Sequence, residues 1–258
     1  MSNEDARAAI VGELVARNRL WPLIDSLSCR FCAQPRKPEF HRGFETCYRC
    51  KELREVYGDA LSDLIPITYS TKSWALGEGL RVFKDERAAS AEDELALRFG
   101  AVLSLYLEHQ MPRIAPAGGF GMVVAAPSSK PVIVNSLERA AAEGWWVPQL
   151  ITGVVVAKRG SLRQRLRSGK DRREVKDKWE VDDGRVTGQH VLLLDDFVTT
   201  GGTIHSLART LGAAGAESVT AVVLARNLGD RTENGCARGW KERLPRGTSG
   251  PTTRTSAT

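Results

Sequence analysis

The sequence predicts an α/β fold, in which a parallel sheet is flanked by helices, preceded by a small N-terminal module with four cysteines. Two observations predict the sheet. Apolar runs of strand length follow one another beyond residue 119, at 121–126, 152–157, 190–194 and 219–225. Helix-like segments stand between some of them, at 131–143 and 203–214. Strands that are apolar throughout are buried on both faces, as in parallel sheets covered by helices.

The overall composition is that of an ordinary globular chain. Of its 258 residues, 42% are hydrophobic and 26% are charged, which excludes a disordered, collagen-like or low-complexity protein. No apolar run approaches the ~18 residues that cross a bilayer. Residues 1–30 lack the continuous apolar core of a signal peptide. We therefore expect a cytoplasmic protein with no membrane partner.

The net charge of +6 is concentrated in two places. The stretch 158–178 has ten Lys or Arg and three Asp or Glu, and the tail 227–258 has six and three. These two stretches carry +7 and +3, so the rest of the chain is net acidic at −4. The basic character therefore belongs to one internal segment and one tail rather than to the whole fold.

Four of the five cysteines form a pattern typical of a metal site. Cys29 and Cys32 form one pair, Cys47 and Cys50 form the other, and 14 residues separate the pairs. Each pair closes a short turn around one tetrahedral ion, so a structural Zn²⁺ is predicted. A closed four-cysteine site leaves no open coordination position, so we expect no catalysis there. The alternative is four free or disulfide-bonded cysteines, which this spacing disfavours in a cytosolic chain.

The most informative segment covers 191–203. Asp195 and Asp196 follow an apolar run, at the end of a strand where open α/β sheets bind their ligands. Gly201 and Gly202 permit a tight turn before a helix whose N-terminal N–H groups suit a phosphate. Three hydroxyls add further donors, those of Thr199, Thr200 and Thr203. Two acidic side chains are compatible with this phosphate site if they bind sugar hydroxyls, or if Mg²⁺ lies between them and the phosphates.

This segment resembles the phosphoribosyl pyrophosphate (PRPP) signature of type I phosphoribosyltransferases. The shared pattern is an apolar strand, two acidic residues, two spacers, Thr-Thr-Gly and two small residues. The resemblance implies the type I phosphoribosyltransferase fold and PRPP bound together with Mg²⁺. It also implies that Asp195 and Asp196 contact the ribose hydroxyls. The 5′-phosphate would then be held by Thr199, Thr200, Gly201, Gly202 and Thr203.

In this family the pyrophosphate binds a separate loop after an earlier strand. The candidate here follows the apolar run 121–126 and contains Ser128, Ser129 and Lys130. Two hydroxyls, backbone amides and one Lys suit a pyrophosphate, although Pro-Ser-Ser is also ordinary turn composition.

Three interpretations of the basic stretch 158–178 are open. It is a solvated loop, a contact for nucleic-acid phosphates, or a lid that closes over PRPP. Many phosphoribosyltransferases have a mobile loop at this place, and positive charge there would stabilise the departing pyrophosphate. We favour the lid, with Lys158 and Arg159 as catalytic candidates beside Asp195 and Asp196.

A zinc ribbon ahead of a phosphoribosyltransferase domain resembles the ComF-like family, which is associated with competence for DNA uptake. The resemblance covers most of residues 29–226, and the cysteines and the PRPP signature carry it. The chain is a divergent member, because Lys130–Asn135 stands where the family has Arg-Gly-Phe-Asn-Gln.

The resemblance divides the chain into five parts. We expect an N-terminal helix over 1–27, the zinc ribbon over 28–51, a hood and connecting region over 52–118, the phosphoribosyltransferase core over 119–226, and a basic, disordered tail over 227–258. The hood lies outside the core sheet and determines acceptor specificity in such folds. Two short strands, at 65–69 and 79–83, and a helix at 91–109 are predicted within it.

Two functions are consistent with these features. The first is an enzyme that transfers ribose 5-phosphate from Mg²⁺–PRPP to an unidentified nitrogen acceptor and releases pyrophosphate. The second is a non-catalytic adaptor that binds PRPP or a nucleotide and acts in DNA uptake or regulation, with DNA or the competence machinery as its partner. A homodimer is common in such folds and is compatible with either function.

Overall fold

The computed structural model describes residues 29, 31–33, 46–70, 89–127, 154–157 and 179–227. Several predictions from the sequence lie outside these residues: the helices at 1–27 and 131–143, the second hood strand at 79–83, the basic stretch 158–178 and the tail beyond 227. The described part contains four helices and six strands. They are α1 (Tyr48–Tyr57), β1 (Leu61–Ser70), α2 (Ala89–Ile114), β2 (Met122–Ala125), β3 (Val155–Ala157), β4 (Trp179–Val181), α3 (Asp183–Val186), β5 (His190–Val198), α4 (Gly202–Ala213) and β6 (Ser218–Asn227).

A four-stranded parallel sheet organises the described residues. Its strand order is β1-β6-β5-β2, and each neighbouring pair is parallel. The two central strands are the apolar runs predicted at 190–194 and 219–225, each extended at its ends. Helices cover both faces, so the predicted parallel sheet flanked by helices is confirmed. All four strands present their carboxyl ends at the same edge.

Alternating side chains of the sheet contribute to two separate cores. On one face, Val191 and Leu193 pack with the apolar side of α4 and with the buried cysteines. On the other face, Leu192 and Leu194 pack with α2, where Leu103 and Leu107 are almost fully buried. This division follows from the two-residue period of a strand. No helix in the described ranges is long and apolar enough to cross a membrane.

The position of β1 differs from the one predicted for the hood. Residues 65–69 were expected in a segment outside the core sheet, but β1 pairs with β6 from Leu61 to Ser70. Among the described residues, β1 is an edge strand of that sheet. Pro66 fits this place, because an edge strand tolerates a residue without a backbone N–H. Since the paired strands lie far apart in the sequence, no local pattern indicated the pairing.

The apolar run at 152–157 was also placed wrongly. It was expected to be a strand of the parallel sheet, but β3 pairs with β4 in a separate antiparallel sheet of two strands. The indole N–H of Trp179, on β4, donates to Ser206 Oγ of α4 at 3.2 Å. This hydrogen bond attaches the small sheet to the helix that follows the aspartate pair.

The helix α4 forms as its pattern predicts. Its apolar side is fully buried and consists of Ile204, Leu207, Ala208 and Leu211. The helix ends at Ala213, and the predicted stop, Gly215, has a φ of +91°, which favours glycine. Two bonds close the end, from Gly215 N to Gly212 O and from Ala216 N to Leu211 O, both 3.0 Å.

A buried histidine on α4 was not singled out from the sequence. His205 is 2% exposed, and its ring centroid lies 5.7 Å from that of Phe31 and 6.4 Å from that of Tyr57. Within the described part of the chain, neither ring nitrogen has a hydrogen-bond partner. Burial lowers the pKa of His205 to about 4. The positive charges of Arg54, Arg49 and Arg226 lower this pKa further. The nearby carboxylate of Asp59 raises it.

This environment predicts an acid-sensitive stability. The unfolded His205 takes up a proton near its usual pKa of 6.5, whereas the folded residue stays neutral down to about 4. The unfolded state therefore binds more protons in this range, and the free energy of unfolding falls as the pH drops from 6.5 towards 4. The expected contribution of this group is a loss of ~2 kcal/mol between about pH 7 and about pH 5.

Urea unfolding at these two pH values measures the loss. The matched control is His205→Gln, which keeps a polar side chain of similar size but does not titrate. The variant should lose less stability on acidification than the original protein. Equal losses in the two proteins would contradict the assignment.

Candidate functional site

The aspartate pair lies where the central strand extends beyond its neighbour. Pairing between β2 and β5 ends at Ala125 and Leu194, after which Ala126 N donates to Leu194 O at 2.7 Å. The strand β5 then continues to Val198, still paired with β6. Asp195 and Asp196 therefore lie within the last part of the strand. The sequence predicted a strand that ends in these two residues, and β5 runs two residues further, to Val198. Both aspartates lie at the carboxyl edge of the sheet, beyond the last residue of β2 that pairs with β5.

The two aspartates differ in exposure. Asp196 is 5% exposed and Asp195 is half-buried. The backbone N–H of Asp196 donates to Asp195 Oδ1 at 2.8 Å, which orients the first carboxylate against its own strand. An ionised carboxylate is an acceptor of hydrogen bonds, and sugar hydroxyls are suitable donors to it.

The next residues, 199–203, form a turn into α4, called the 199–203 turn below. Gly201 is the N-cap of the helix and has a φ of +83°. As the N-cap, Gly201 makes no side-chain capping bond, and the first turn of the helix contains no acidic residue. Thr199 and Thr203 are exposed. The N–H groups of this first turn, the positive end of the helix dipole and these hydroxyls together suit a phosphate group.

Side chains from α1, β1 and α4 pack closely around Gly201 in this turn. A Cβ placed on Gly201 would lie 3.3 Å from Leu53 Cδ1 of α1, 3.7 Å from His205 Cδ2 and 3.9 Å from Leu64 Cδ2. Gly202 is less restricted, since a Cβ there would meet only Thr200 Oγ1, at 3.8 Å. Gly201 is thus required both by its backbone conformation and by its contact with Leu53.

One contact of the turn was missed in the sequence. Asn227 was assigned to the tail, but it is the last residue of β6 and is buried. Its side-chain amide donates to Thr199 Oγ1 at 3.5 Å. The signal that was available is its position: it follows the apolar run 219–225 at the carboxyl end of a parallel strand, beside the strand that carries the aspartates.

Several predicted site residues lie outside the described ranges. These are the pyrophosphate candidates Ser128, Ser129 and Lys130 and the lid candidates Lys158 and Arg159. The structure describes only the residues beside them. Ala126 and Pro127 leave the sheet at its carboxyl edge, beside β5. Ala157 and Trp179, which flank the basic stretch, are paired in register.

The four cysteines come together as the sequence predicts. Their sulfur atoms all lie within 4.8 Å of one another. Two separations are 3.9 Å, from Cys29 to Cys50 and from Cys32 to Cys47. A tetrahedral ion with Zn–S bonds of ~2.3 Å places its sulfurs ~3.8 Å apart, whereas a disulfide requires ~2.05 Å. The cluster therefore fits one Zn²⁺ ion bound by four thiolates.

Hydrogen bonds within and around the cluster support it. The N–H of Cys47 donates to Cys29 Sγ at 3.2 Å. The hydrogen bond from the Cys32 thiol, followed by those of Cys47 and Cys50, holds the pKa of Cys29 well below its usual range. A thiolate is the form of cysteine that binds metal. The first cysteine pair is also fixed to the sheet, because the Tyr69 hydroxyl at the end of β1 donates to Ala33 O.

The cluster predicts one zinc ion per chain with a structural role. Cys50→Ser should lose the metal and lower the free energy of unfolding, because a structural zinc site contributes directly to folding. Elemental analysis of the purified protein and thermal unfolding measure both effects. Cys236→Ser, at the remaining cysteine of the sequence, is the control and should retain one zinc. A Cys50→Ser protein with full zinc content and unchanged stability would refute the assignment.

The packing of Gly201 predicts an asymmetry between adjacent glycines. Gly201→Ala should lower the free energy of unfolding by ~1–2 kcal/mol, because a side chain disfavours this left-handed conformation. Gly202→Ala should be neutral or stabilising, since alanine is the better residue within a helix. Denaturant unfolding of the two variants tests this difference. The prediction fails if Gly202→Ala is the more damaging substitution.

Comparison with known proteins agrees with this geometry. Residues 146–240 match the family model of the phosphoribosyl transferase domain, and this stretch contains the aspartate pair, the 199–203 turn and α4. No curated protein matches the chain. The parallel sheet flanked by helices fits the type I phosphoribosyltransferase fold, and the four close cysteines fit a zinc ribbon. The match supports a phosphoribosyltransferase family for residues 146–240.

Proposed function

We propose that this protein binds Mg²⁺–PRPP and transfers its ribose 5-phosphate to a nitrogen acceptor, with release of pyrophosphate. The observation that carries the proposal is one continuous element. Asp195 and Asp196 border the carboxyl edge of a parallel sheet, and the N-terminus of α4 follows directly at Gly201. A sugar phosphate fits this element, because its hydroxyls would meet the two carboxylates and its phosphate would meet the N-terminus of α4.

Each part of PRPP has a partner of suitable chemistry. The carboxylates of Asp195 and Asp196 accept hydrogen bonds from the two ribose hydroxyls. The 5′-phosphate is held by the turn, whose members are Thr199, Thr200, Gly201, Gly202 and Thr203. Asn227 positions Thr199 through its side-chain amide. Bound Mg²⁺ would neutralise part of the charge on the pyrophosphate.

Catalysis by such a site consists of positioning and electrostatic stabilisation. The bond from the ribose anomeric carbon to pyrophosphate breaks, and pyrophosphate leaves with the bonding electron pair. The lone pair of the acceptor nitrogen forms the new bond to that carbon, and the N–H proton of the acceptor is released to solvent. Fixed donors next to the pyrophosphate stabilise the charge that develops on it. We assign this task to Ser128, Ser129 and Lys130, which follow the end of β2.

The basic stretch 158–178 is proposed as the lid. Its flanking residues Ala157 and Trp179 are paired in register, and Trp179 is bonded to Ser206 in the second turn of α4. Both flanks are therefore attached near the 199–203 turn. Lys158 follows directly after β3, so Lys158 and Arg159 are proposed to contact the departing pyrophosphate.

The non-catalytic adaptor is the less favoured function, because the matching family model is that of a transferase domain. The ComF-like assignment, with its link to DNA uptake, rests on the cysteine spacing and the PRPP signature. It is a proposal about the biological role and does not change the chemistry of the site.

Isothermal titration with Mg²⁺ and PRPP tests the proposal. The original protein should bind, and the Asp195→Asn/Asp196→Asn variant should lose binding, because amides keep the size of the side chains but remove their charge. Glu217→Gln, a solvent-exposed acidic residue at the opposite edge of the sheet, is the control and should bind normally. A folded, zinc-loaded protein that does not bind PRPP would overturn the proposal.

A second measurement separates enzyme from adaptor and tests the lid. Pyrophosphate release is followed while nitrogenous bases and amines are screened as acceptors. Release with one acceptor identifies an enzyme, and binding without release across the screen favours the adaptor. Lys158→Ala/Arg159→Ala should slow release while leaving unfolding unchanged. Unchanged release in that variant would refute the lid.

A further inference from the structure

We propose that the four-cysteine centre supports the 199–203 turn through α1, so that metal binding and ligand binding at the turn strengthen each other. The proposal rests on the proposed function for the identity of the ligand, PRPP. The contacts that carry it are independent of that identity, since they join the cysteines to the turn within the protein itself.

One face of α1 joins the two sites. Its buried residues are Cys50, Leu53 and Tyr57, which are spaced three and four residues apart and therefore lie on the same side of the helix. Cys50 contributes its sulfur to the cluster. Leu53, one helical turn further on, reaches the 199–203 turn. The metal ligand and the residue beneath the turn are thus separated by a single turn of a rigid element.

Leu53 packs beside Gly201, the residue at which the turn enters α4. Leu53 Cδ1 lies 3.3 Å from the place where a Cβ of Gly201 would be. Gly201 is buried and adopts the positive φ that starts α4. A shift of α1 away from α4 would leave a void beneath this residue, and the backbone N–H groups around it would lose their fixed orientation.

The first cysteine pair makes a second contact with α4. Phe31 lies between Cys29 and Cys32 in the sequence, and its ring is packed beside His205, in the first turns of α4. The guanidinium of Arg54, from α1, covers the Phe31 ring at 4.5 Å from the centroid. Both cysteine pairs are therefore connected to the start of α4, one through Phe31 and the other through Leu53.

The position of α1 depends on these tertiary contacts. The helix has only 10 residues, and its N-cap, Cys47, makes no side-chain capping bond. Helices of this length are marginal in isolation. A metal ion bound by Cys47 and Cys50 would fix the first turn of α1. Since coupling between two sites is reciprocal, a bound phosphate ligand should in turn slow the loss of metal.

The first test compares zinc-loaded and zinc-depleted protein. Removal of zinc with a zinc-selective chelator, followed by restoration of Mg²⁺, should weaken PRPP binding by ~10-fold or more. Backbone amides of the 199–203 turn should exchange hydrogen faster in the depleted protein. PRPP added to the loaded protein should slow zinc transfer to the chelator. Circular dichroism establishes whether the depleted protein is still folded.

A second test leaves the cysteines unchanged. Leu53→Ala should retain one zinc but show weaker PRPP binding and faster amide exchange at the turn. The matched control is Leu103→Ala, a truncation of another buried leucine, which lies in the core on the opposite face of the sheet. This variant should bind PRPP with the original affinity. Comparison of these two variants shows whether the cluster and the turn are coupled, even if the protein unfolds without zinc.

Two results would overturn the proposal. One is a folded, zinc-free protein with the original PRPP affinity and unchanged exchange at the turn. The other is Leu53→Ala behaving as Leu103→Ala does in both measurements. If the original, zinc-loaded protein fails to bind PRPP, the proposed function fails instead, and amide exchange at the turn still decides whether the two sites are coupled.

Discussion

The central pairing of β5 with β6 is the constraint on which the remaining structure depends. Both strands are apolar and buried along most of their length, so they require cover on both faces and neighbours on both sides. β1 and β2 provide the neighbours, and α4 and α2 belong to the two opposite cores. Because all pairs are parallel, the ends of the strands meet at one edge. The candidate site lies at that edge.

The four-cysteine cluster belongs to the same core as α4, the helix that begins at the candidate site. Cys29, Cys32 and Cys50 are buried together with the apolar side of α4 and with alternate residues of the sheet. The cluster is continuous with the core that contains the apolar side of α4, and this continuity is the physical basis of the coupling proposed above.

Local patterns were sufficient to predict the elements that carry the site. The apolar run before Asp195, the glycines at 201 and 202 and the spacing of the four cysteines each determine structure within a few residues. The family match and the cysteine cluster agree with these predictions. The roles of individual residues in PRPP binding stay predictions until ligand binding is measured.

The predictions that failed depend on contacts between distant parts of the chain. The pairing of β1 with β6 joins residues such as Thr68 and Ala225, and the separate sheet of β3 and β4 joins strands on either side of the basic stretch. An apolar run indicates a buried strand but not the strand with which it pairs. The burial of His205 and Asn227 was missed for the same reason, since their neighbours come from other elements.

The place of β1 in the sheet bears on how this protein can be divided. The stretch that matches the transferase family, 146–240, contains only the two central strands of the four-stranded sheet. The two flanking strands of the sheet, the four-cysteine cluster and α2 all come from earlier in the chain. A fragment cut at the family boundaries would expose two long apolar strand edges, which favours aggregation rather than folding. A fragment that is to fold on its own must therefore begin well before residue 146, at or before the first cysteine pair.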